Sequence, residues 1–143
     1  PDGDLIASGS RDRTVKLWLW NPTTQTYNLY QTLSGHQGTV IQVTFSNNGQ
    51  YLASASDDQT VRVWSRYGDS LVHLGGNCGM VRTVEFSPDD QILANGGGNG
   101  TITLWQIDKI LGLNTLEYAC GWIGDYLRTN KKLEKSDRRL CEF

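Results

Sequence analysis

One fourteen-residue pattern occurs three times in this chain and restricts its fold more than any other feature. Leu5–Trp18 reads LIASGSRDRTVKLW, Tyr51–Trp64 reads YLASASDDQTVRVW, and Ile92–Trp105 reads ILANGGGNGTITLW. Each is an alternating apolar run, a short polar turn, and a second alternating run ending on tryptophan, which is the pattern of a two-stranded hairpin. Trp18 and Trp64 are 46 residues apart, and Trp64 and Trp105 are 41 apart. Self-similarity at such a period means an array of like units, none of which can bury its apolar face alone.

The flanking residues complete the unit. Ser34-Gly35-His36 opens the second copy and leads to Val40–Phe45. There the apolar spacing of three and then two is that of a strand with a one-residue bulge. Val81, Val84 and Phe86 repeat Val40, Val43 and Phe45. The turns Ser46-Asn47-Asn48-Gly49 and Ser87-Pro88-Asp89-Asp90 follow, and Pro1-Asp2-Gly3 matches the tail of such a turn. Each unit therefore reads as strand a, turn, strand b, tight turn, strand c, loop, strand d. The first (1–33) has b, c (Thr14–Trp18) and d (Tyr27–Leu33). The second (34–74) is complete, with d at Ser70–Leu74. The third (75–106) has a, b and c (101–106), with no d to follow.

After Gln106 the period changes. Leu113, Leu116, Cys120, Ile123 and Leu127 recur at helical spacing, with Asn114 or Thr115 to cap the start and Thr129-Asn130 to end it. Arg128–Arg139 is a basic tail that reads as a solvated segment. Residues 107–143 are thus expected to form a C-terminal helix and tail. A net charge of −2 gives no general attraction to nucleic acid or an anionic membrane, and no run of 18 apolar residues occurs. Cys78, Cys120 and Cys141 are far apart and lack metal-ligand spacing, so free thiols and a cytoplasmic location are expected, with no cofactor and no metal.

Gly35-His36, the V-x-x-V-x-F strand, the S-P-D-D turn and the L-A-S-x-S-x-D-x-T-V-x-φ-W block together resemble the WD-repeat β-propeller family, over about residues 1–106. Leu19, Ser65 and Gln106 stand where that family often has aspartate after tryptophan. The resemblance implies an all-β protein of consecutive four-stranded antiparallel blades stacked around an axis, here about three. It also implies a hydrogen-bond chain satisfying each buried indole N–H, namely His36, Ser54, Asp58 and Trp64 in the second unit and Ser8, Asp12 and Trp18 in the first. In the third, Trp105 is kept, while Asn77, Asn95 and Asn99 replace His, Ser and Asp. That chain must be rebuilt from amides or abandoned, and this blade is expected to be the least rigid. Asn99-Gly100 reads as a two-residue hairpin turn.

His36, Ser54 and Asp58 are also the residue types of a hydrolase triad. Their positions match structural residues of a repeated unit, and partial copies recur where no active site is needed, so they read as scaffold, and no catalytic residue is assigned. His73 has no partner at metal spacing. Gly96–Gly100 lies in a strand-to-strand turn without the helix start that a phosphate cradle needs.

By resemblance, function belongs on the narrower propeller face. The matching positions are Arg11 and Asp57 in turns, Thr39 and Ile41 in one bulged strand, and Met80 and Arg82 in the next. They make a candidate protein-binding surface, so the chain is expected to be a non-enzymatic interaction scaffold. Three blades do not close a ring, so the chain is expected to be the C-terminal part of a larger propeller; closure needs upstream blades of the same chain or association of copies. Leu116–Arg128 and the residues after it resemble the C-terminal ends of bacterial, notably cyanobacterial, WD-repeat proteins. In those the propeller often follows a regulatory NTPase or a protein kinase. A sensor module for such an upstream domain is the alternative.

Overall fold

The computed structural model describes residues 2–76 and 79–112. Ten strands occur in chain order: β1 (Leu5–Gly9), β2 (Val15–Asn21), β3 (Thr26–Leu33), β4 (Val40–Phe45), β5 (Tyr51–Ser56), β6 (Val61–Ser65), β7 (Ser70–Leu74), β8 (Val81–Phe86), β9 (Ile92–Gly97) and β10 (Ile102–Gln106). A six-residue helix, α1 (Ile107–Gly112), follows. The strands form three sheets in the orders β1-β2-β3, β4-β5-β6-β7 and β8-β9-β10, all antiparallel. This is the expected all-β architecture of successive blades, one of them with all four strands.

The anticipated bulges are present. The β4–β5 register shifts between Val40 and Gln42, and the β8–β9 register shifts between Val81 and Thr83. Strand c of the first blade runs three residues beyond Trp18, to Asn21, because β3 supplies partners that far along. The a-to-b turns repeat as read. Gly49, Asp90 and Gly3 all have positive φ, and Asn48, Asp89 and Asp2 each accept the N–H two residues on.

The turn at 97–101 differs from the two-residue hairpin expected. Only Gly100 has positive φ there, whereas the mirror-image turn needs it at both central residues. Gly100 N–H donates to Gly97 O at 3.1 Å, and Gly97 N–H to Thr101 O at 2.8 Å. Arg13 and Gln59 occupy the same left-handed position in the other blades, with matching bonds. Asn99 Oδ1 accepts both the N–H and the hydroxyl of Thr101, as Asp12 does for Thr14 and Asp58 for Thr60. That side-chain clamp selects the wider turn. The helix α1 begins directly after Trp105-Gln106 and buries Ile107 and Ile110; it had no sequence signature, being under two turns long. The longer helix expected from Leu113, and the basic tail, lie outside the described residues, as do Asn77 and all three cysteines.

Blades cover one another through alternate residues. Val15, Leu17 and Leu33 of the first pack with Val40, Leu52 and Trp64 of the second. Ala53, Ala55, Val61, Val63 and Leu74 of the second pack with Val81, Val84, Phe86 and Leu93 of the third and with Ile107 and Ile110 of α1. Polar joints tie the same seams. Gln42 donates to Val84 O at 3.1 Å and accepts Val84 N–H at 3.3 Å, while Asp90 accepts the N–H groups of Asn47 and Asn48 at 2.7 and 2.8 Å. Burial works to raise the Asp90 pKa, but these bonds outweigh it and hold the carboxyl below its usual value. Leu52 sits at the centre of the first seam with no exposed surface. Leu52→Ala is expected to cost about 2–5 kcal/mol through lost transfer energy and the cavity left behind. An unchanged urea midpoint would show that the seam is not packed as described.

Candidate functional site

The residues expected to chain together in the second blade do so. The Trp64 indole N–H donates to Ser54 Oγ at 2.9 Å, Ser54 Oγ lies 2.8 Å from His36 Nε2, and His36 Nδ1 lies 2.9 Å from Asp58 Oδ2. Asp58 also accepts Gln37 N–H at 2.7 Å on Oδ2 and both groups of Thr60 on Oδ1. These contacts set the proton positions. A carboxylate can only accept, so His36 carries its proton on Nδ1, and Nε2 accepts from the Ser54 hydroxyl. Every link is then satisfied with a neutral imidazole. Burial lowers the His36 pKa, against the pull of the Asp58 carboxylate. Burial also works to raise Asp58, but the bonds from Thr60, Gln37 and His36 outweigh it and hold that carboxyl well below its ordinary range.

Gly35 lets the chain approach this cluster. Its φ is +151°, and a Cβ there would lie 2.9 Å from the Arg62 guanidinium, which donates to Gly35 O at 3.0 Å and stands 5.9 Å from the Trp64 ring centre.

The other blades also give each indole an acceptor. Trp18 N–H donates to Ser8 Oγ at 3.0 Å, while Asp12 is exposed, clamps Thr14 and pairs with Lys16 at 3.8 Å. In the third blade the amide substitute works: Trp105 N–H donates to Asn95 Oδ1 at 2.7 Å. Trp64 is buried, whereas Trp18 and Trp105 are half-buried. Ser54 has no exposed surface. Its oxygen already serves the indole and the imidazole, which leaves no approach for a substrate carbonyl.

The six rim candidates fall at one end of the sheets, where strand a begins and the b-to-c turns lie. Asp57 N–H donates to Thr39 O at 2.9 Å, Gly98 N–H to Met80 O at 2.8 Å, and Val40 N–H to Ser10 O, beside Arg11, at 3.0 Å. Arg11, Ile41, Met80 and Arg82 are exposed, and Thr39 and Asp57 are half-buried. None belongs to either apolar cluster.

At the opposite end lies a cleft of about 540 Å³ that sequence reasoning missed. Its walls come from the two a-to-b turns, the start of β9 and α1, residues that share no motif. Among the described residues no group of three or more His, Cys, Asp or Glu is placed to hold a metal, and no helix is long and apolar enough to cross a membrane.

The WD domain, G-beta repeat family pattern matches residues 1–18, 27–65 and 68–106, more than half of the chain. This chain belongs to the WD-repeat family. Among its relatives, a protein transport protein sec13 of Aspergillus fumigatus is 44% identical over 63 residues, covering 42% of this chain and 21% of that protein. A periodic tryptophan protein 2 homolog of Schizosaccharomyces pombe is 39% identical over 70 residues, covering 49% and 8%. The protein hir1 of the same yeast is 39% identical over 80 residues, covering 46% and 8%. The chain thus spans about a fifth or less of the length of these WD-repeat relatives. They are fungal and give no support to the bacterial origin expected from the C-terminal segment.

Removing the Ser54 hydroxyl strands both the indole N–H and the imidazole, at about 1–3 kcal/mol for each buried group left without a partner. Ser54→Ala should therefore lower the urea midpoint clearly, and a neutral result would contradict the chain. Because the folded-state pKa of His36 is depressed, its contribution is fully present above the ordinary histidine value near 6.5 and is lost as pH falls below it. Thermal melts between about pH 7.5 and 5.5 should show a steeper loss for the native chain than for His36→Gln. Parallel slopes would refute a neutral buried His36.

Blade three has neutral Asn95 and Asn99 where blade two has Ser54 and the Asp58 carboxylate, and its Ile102 and Leu104 are exposed, so β9 and β10 amides should exchange faster than those of β5 and β6. Equal protection would contradict this.

Proposed function

We propose that this chain is a non-enzymatic protein-interaction scaffold of the cytoplasm, with its partner-binding residues on the b-to-c rim. WD repeats generally act as interaction scaffolds. The observation carrying the narrower reading is that Arg11, Ile41, Met80 and Arg82 are exposed together at one end of the sheets, outside the stacking clusters and outside the hydrogen-bond chain. Ile41 and Met80 are 42% and 46% exposed. Nothing in blade packing requires two large apolar side chains there, and Met and Arg are favoured at protein interfaces. The partner chemistry that fits is an apolar anchor flanked by acidic groups, to meet Arg11 and Arg82.

The finer expectations belong to the same reading. The scaffold is part of a larger propeller, closed by upstream blades or by association of copies. Its narrower form is a sensor for an upstream NTPase or kinase, which the C-terminal segment motivates and which a phosphate-binding loop upstream in the gene would mark.

The test is affinity capture with quantitative mass spectrometry, comparing the native chain with Ile41→Asp and Met80→Asp. These positions are exposed, so folding should be unaffected, while capture of specific partners should fall by about tenfold or more, as for central interface anchors. Identical partner sets for all three proteins would sink the rim assignment.

A further inference from the structure

We propose that Asn99-Gly100 is a self-modifying site: Asn99 deamidates spontaneously to aspartate, and the b-to-c turn receives the product as it already receives Asp12 and Asp58. This goes beyond the rim reading and does not depend on it.

Asparagine is a heat-labile residue, most of all where glycine follows, because glycine has no Cβ to crowd the attacking backbone nitrogen. The Gly100 nitrogen loses its proton to solvent base and attacks Asn99 Cγ. A C–N bond forms, the bond from Cγ to the side-chain nitrogen breaks, and ammonia leaves, closing a succinimide ring. Water then adds to an imide carbonyl. Opening at Cγ gives aspartate, and opening at the backbone carbonyl gives the β-linked isomer. The sum is amide plus water to carboxylate plus ammonium, with nothing oxidised or reduced.

The chain has three Asn-Gly steps, and the structure ranks them. Asn95 is 2% exposed in β9, its Oδ1 accepts the Trp105 N–H at 2.7 Å, and a Cβ on Gly96 would lie 2.7 Å from Thr83 Cγ2. Neither residue of that step can rotate without opening the blade. At the second step, Asn48 N–H is held by Asp90 at 2.8 Å, its Oδ1 is held by Ser46 and Gln50, and Gly49 is buried. The third step differs. Gly98, Asn99 and Gly100 are all exposed, and no atom lies within 4 Å of the place a Cβ would take on Gly100. The bond from Gly100 N–H to Gly97 O must release before attack, as must the hold of Thr101 on Asn99 Oδ1. Opening an exposed turn costs far less than opening a packed strand.

The fold is ready for the product. Asp12 and Asp58 each accept a threonine N–H at 3.0 Å and its hydroxyl at 2.6 Å, and Asn99 accepts the same pair from Thr101 at 3.2 and 2.7 Å. A carboxylate accepts such bonds more strongly than an amide oxygen. Arg82 lies against the same turn, its Nε 3.4 Å from where a Cβ on Gly98 would stand, and a nearby cation favours an ionised acid. The β-linked isomer adds a methylene to the main chain and loses the threonine clamp.

The test is peptide mapping with fragmentation on the whole chain, aged at mildly alkaline pH below its melting temperature. Exchanging the amide –NH2 for –OH adds one mass unit. That gain should accumulate at Asn99 at least about tenfold faster than at Asn48 or Asn95, which open only with their surroundings. Asn99→Gln, whose longer side chain closes the ring poorly, should show no gain at that position. Asn99→Asp should keep the far-ultraviolet dichroism and a urea midpoint no lower than that of the native chain. A gain at Asn48 or Asn95 as fast as at Asn99 overturns the site. So does a chain unchanged at Asn99 while a free peptide of residues 97–103 deamidates fully. A lower urea midpoint for Asn99→Asp overturns the fit of the product.

Discussion

A sheet with two apolar faces cannot stand alone in water, and this constraint organises every other feature of the chain. Alternation along β5 and β6 sends Leu52 and Trp64 to one side and Ala53, Ala55, Val61 and Val63 to the other, and both sets are buried. A blade of four short strands has no interior of its own; its core is the seam it shares with each neighbour. One indole at a seam buries about 150–250 Å². At about 25 cal/mol per Å² that corresponds to roughly 4–6 kcal/mol as an upper bound, since the unfolded chain is already partly collapsed. The tryptophan is thus the largest single contribution a repeat can make to its neighbour.

Burying an indole creates a second requirement, because its N–H must find an acceptor away from water. The three blades form a natural series on this point. In the second the acceptor is a serine whose own hydroxyl is taken by an imidazole, whose remaining proton is taken by a carboxylate. The carboxylate in turn holds the turn and the segment before strand a through Thr60 and Gln37. One satisfied N–H therefore ties strands b and c to the entry of strand a. In the third blade Asn95 accepts the indole directly, and Asn99 keeps the threonine clamp without a charge. The indole requirement is met in both, by a set that includes a carboxylate in the second blade and by neutral amides in the third. Links of this kind are mutually polarising.

Most of this was legible because it is local and repeated. The strand pairs, both bulges, the a-to-b turns and the closing tryptophan all recur at fixed spacing, and the Trp–Ser–His–Asp set is complete in the second unit. Where reading failed, the deciding contact was one that local patterns do not encode. Asn99-Gly100 carries the composition of a two-residue turn, yet the Thr101 clamp on Asn99 selects the wider one. The Asp90 grip on Asn47 and Asn48 and the Gln42 fork on Val84 join residues 42–43 positions apart. In sequence they are ordinary turn and strand residues. α1 was missed because a helix this short has no period to detect, and its Ile107 and Ile110 gain their burial from β7 and β10.

The same division separates scaffold from surface. His36, Ser54 and Asp58 bring together the groups of a nucleophilic triad, but a nucleophile needs an open oxygen with room for an electrophile. Ser54 Oγ accepts a hydrogen bond from the indole N–H and donates one to His36, and Ser54 has no exposed surface. Freeing it for chemistry would leave Trp64 without an acceptor and open the contact between two blades. Rim residues are under no such double duty. Ile41 and Arg82 follow the first residue of strand a at the bulge, where the extra residue turns a side chain out of the stacking alternation. The irregularity that interrupts the ladder is therefore what releases these positions from the core, and it recurs at the same place in both complete a-strands.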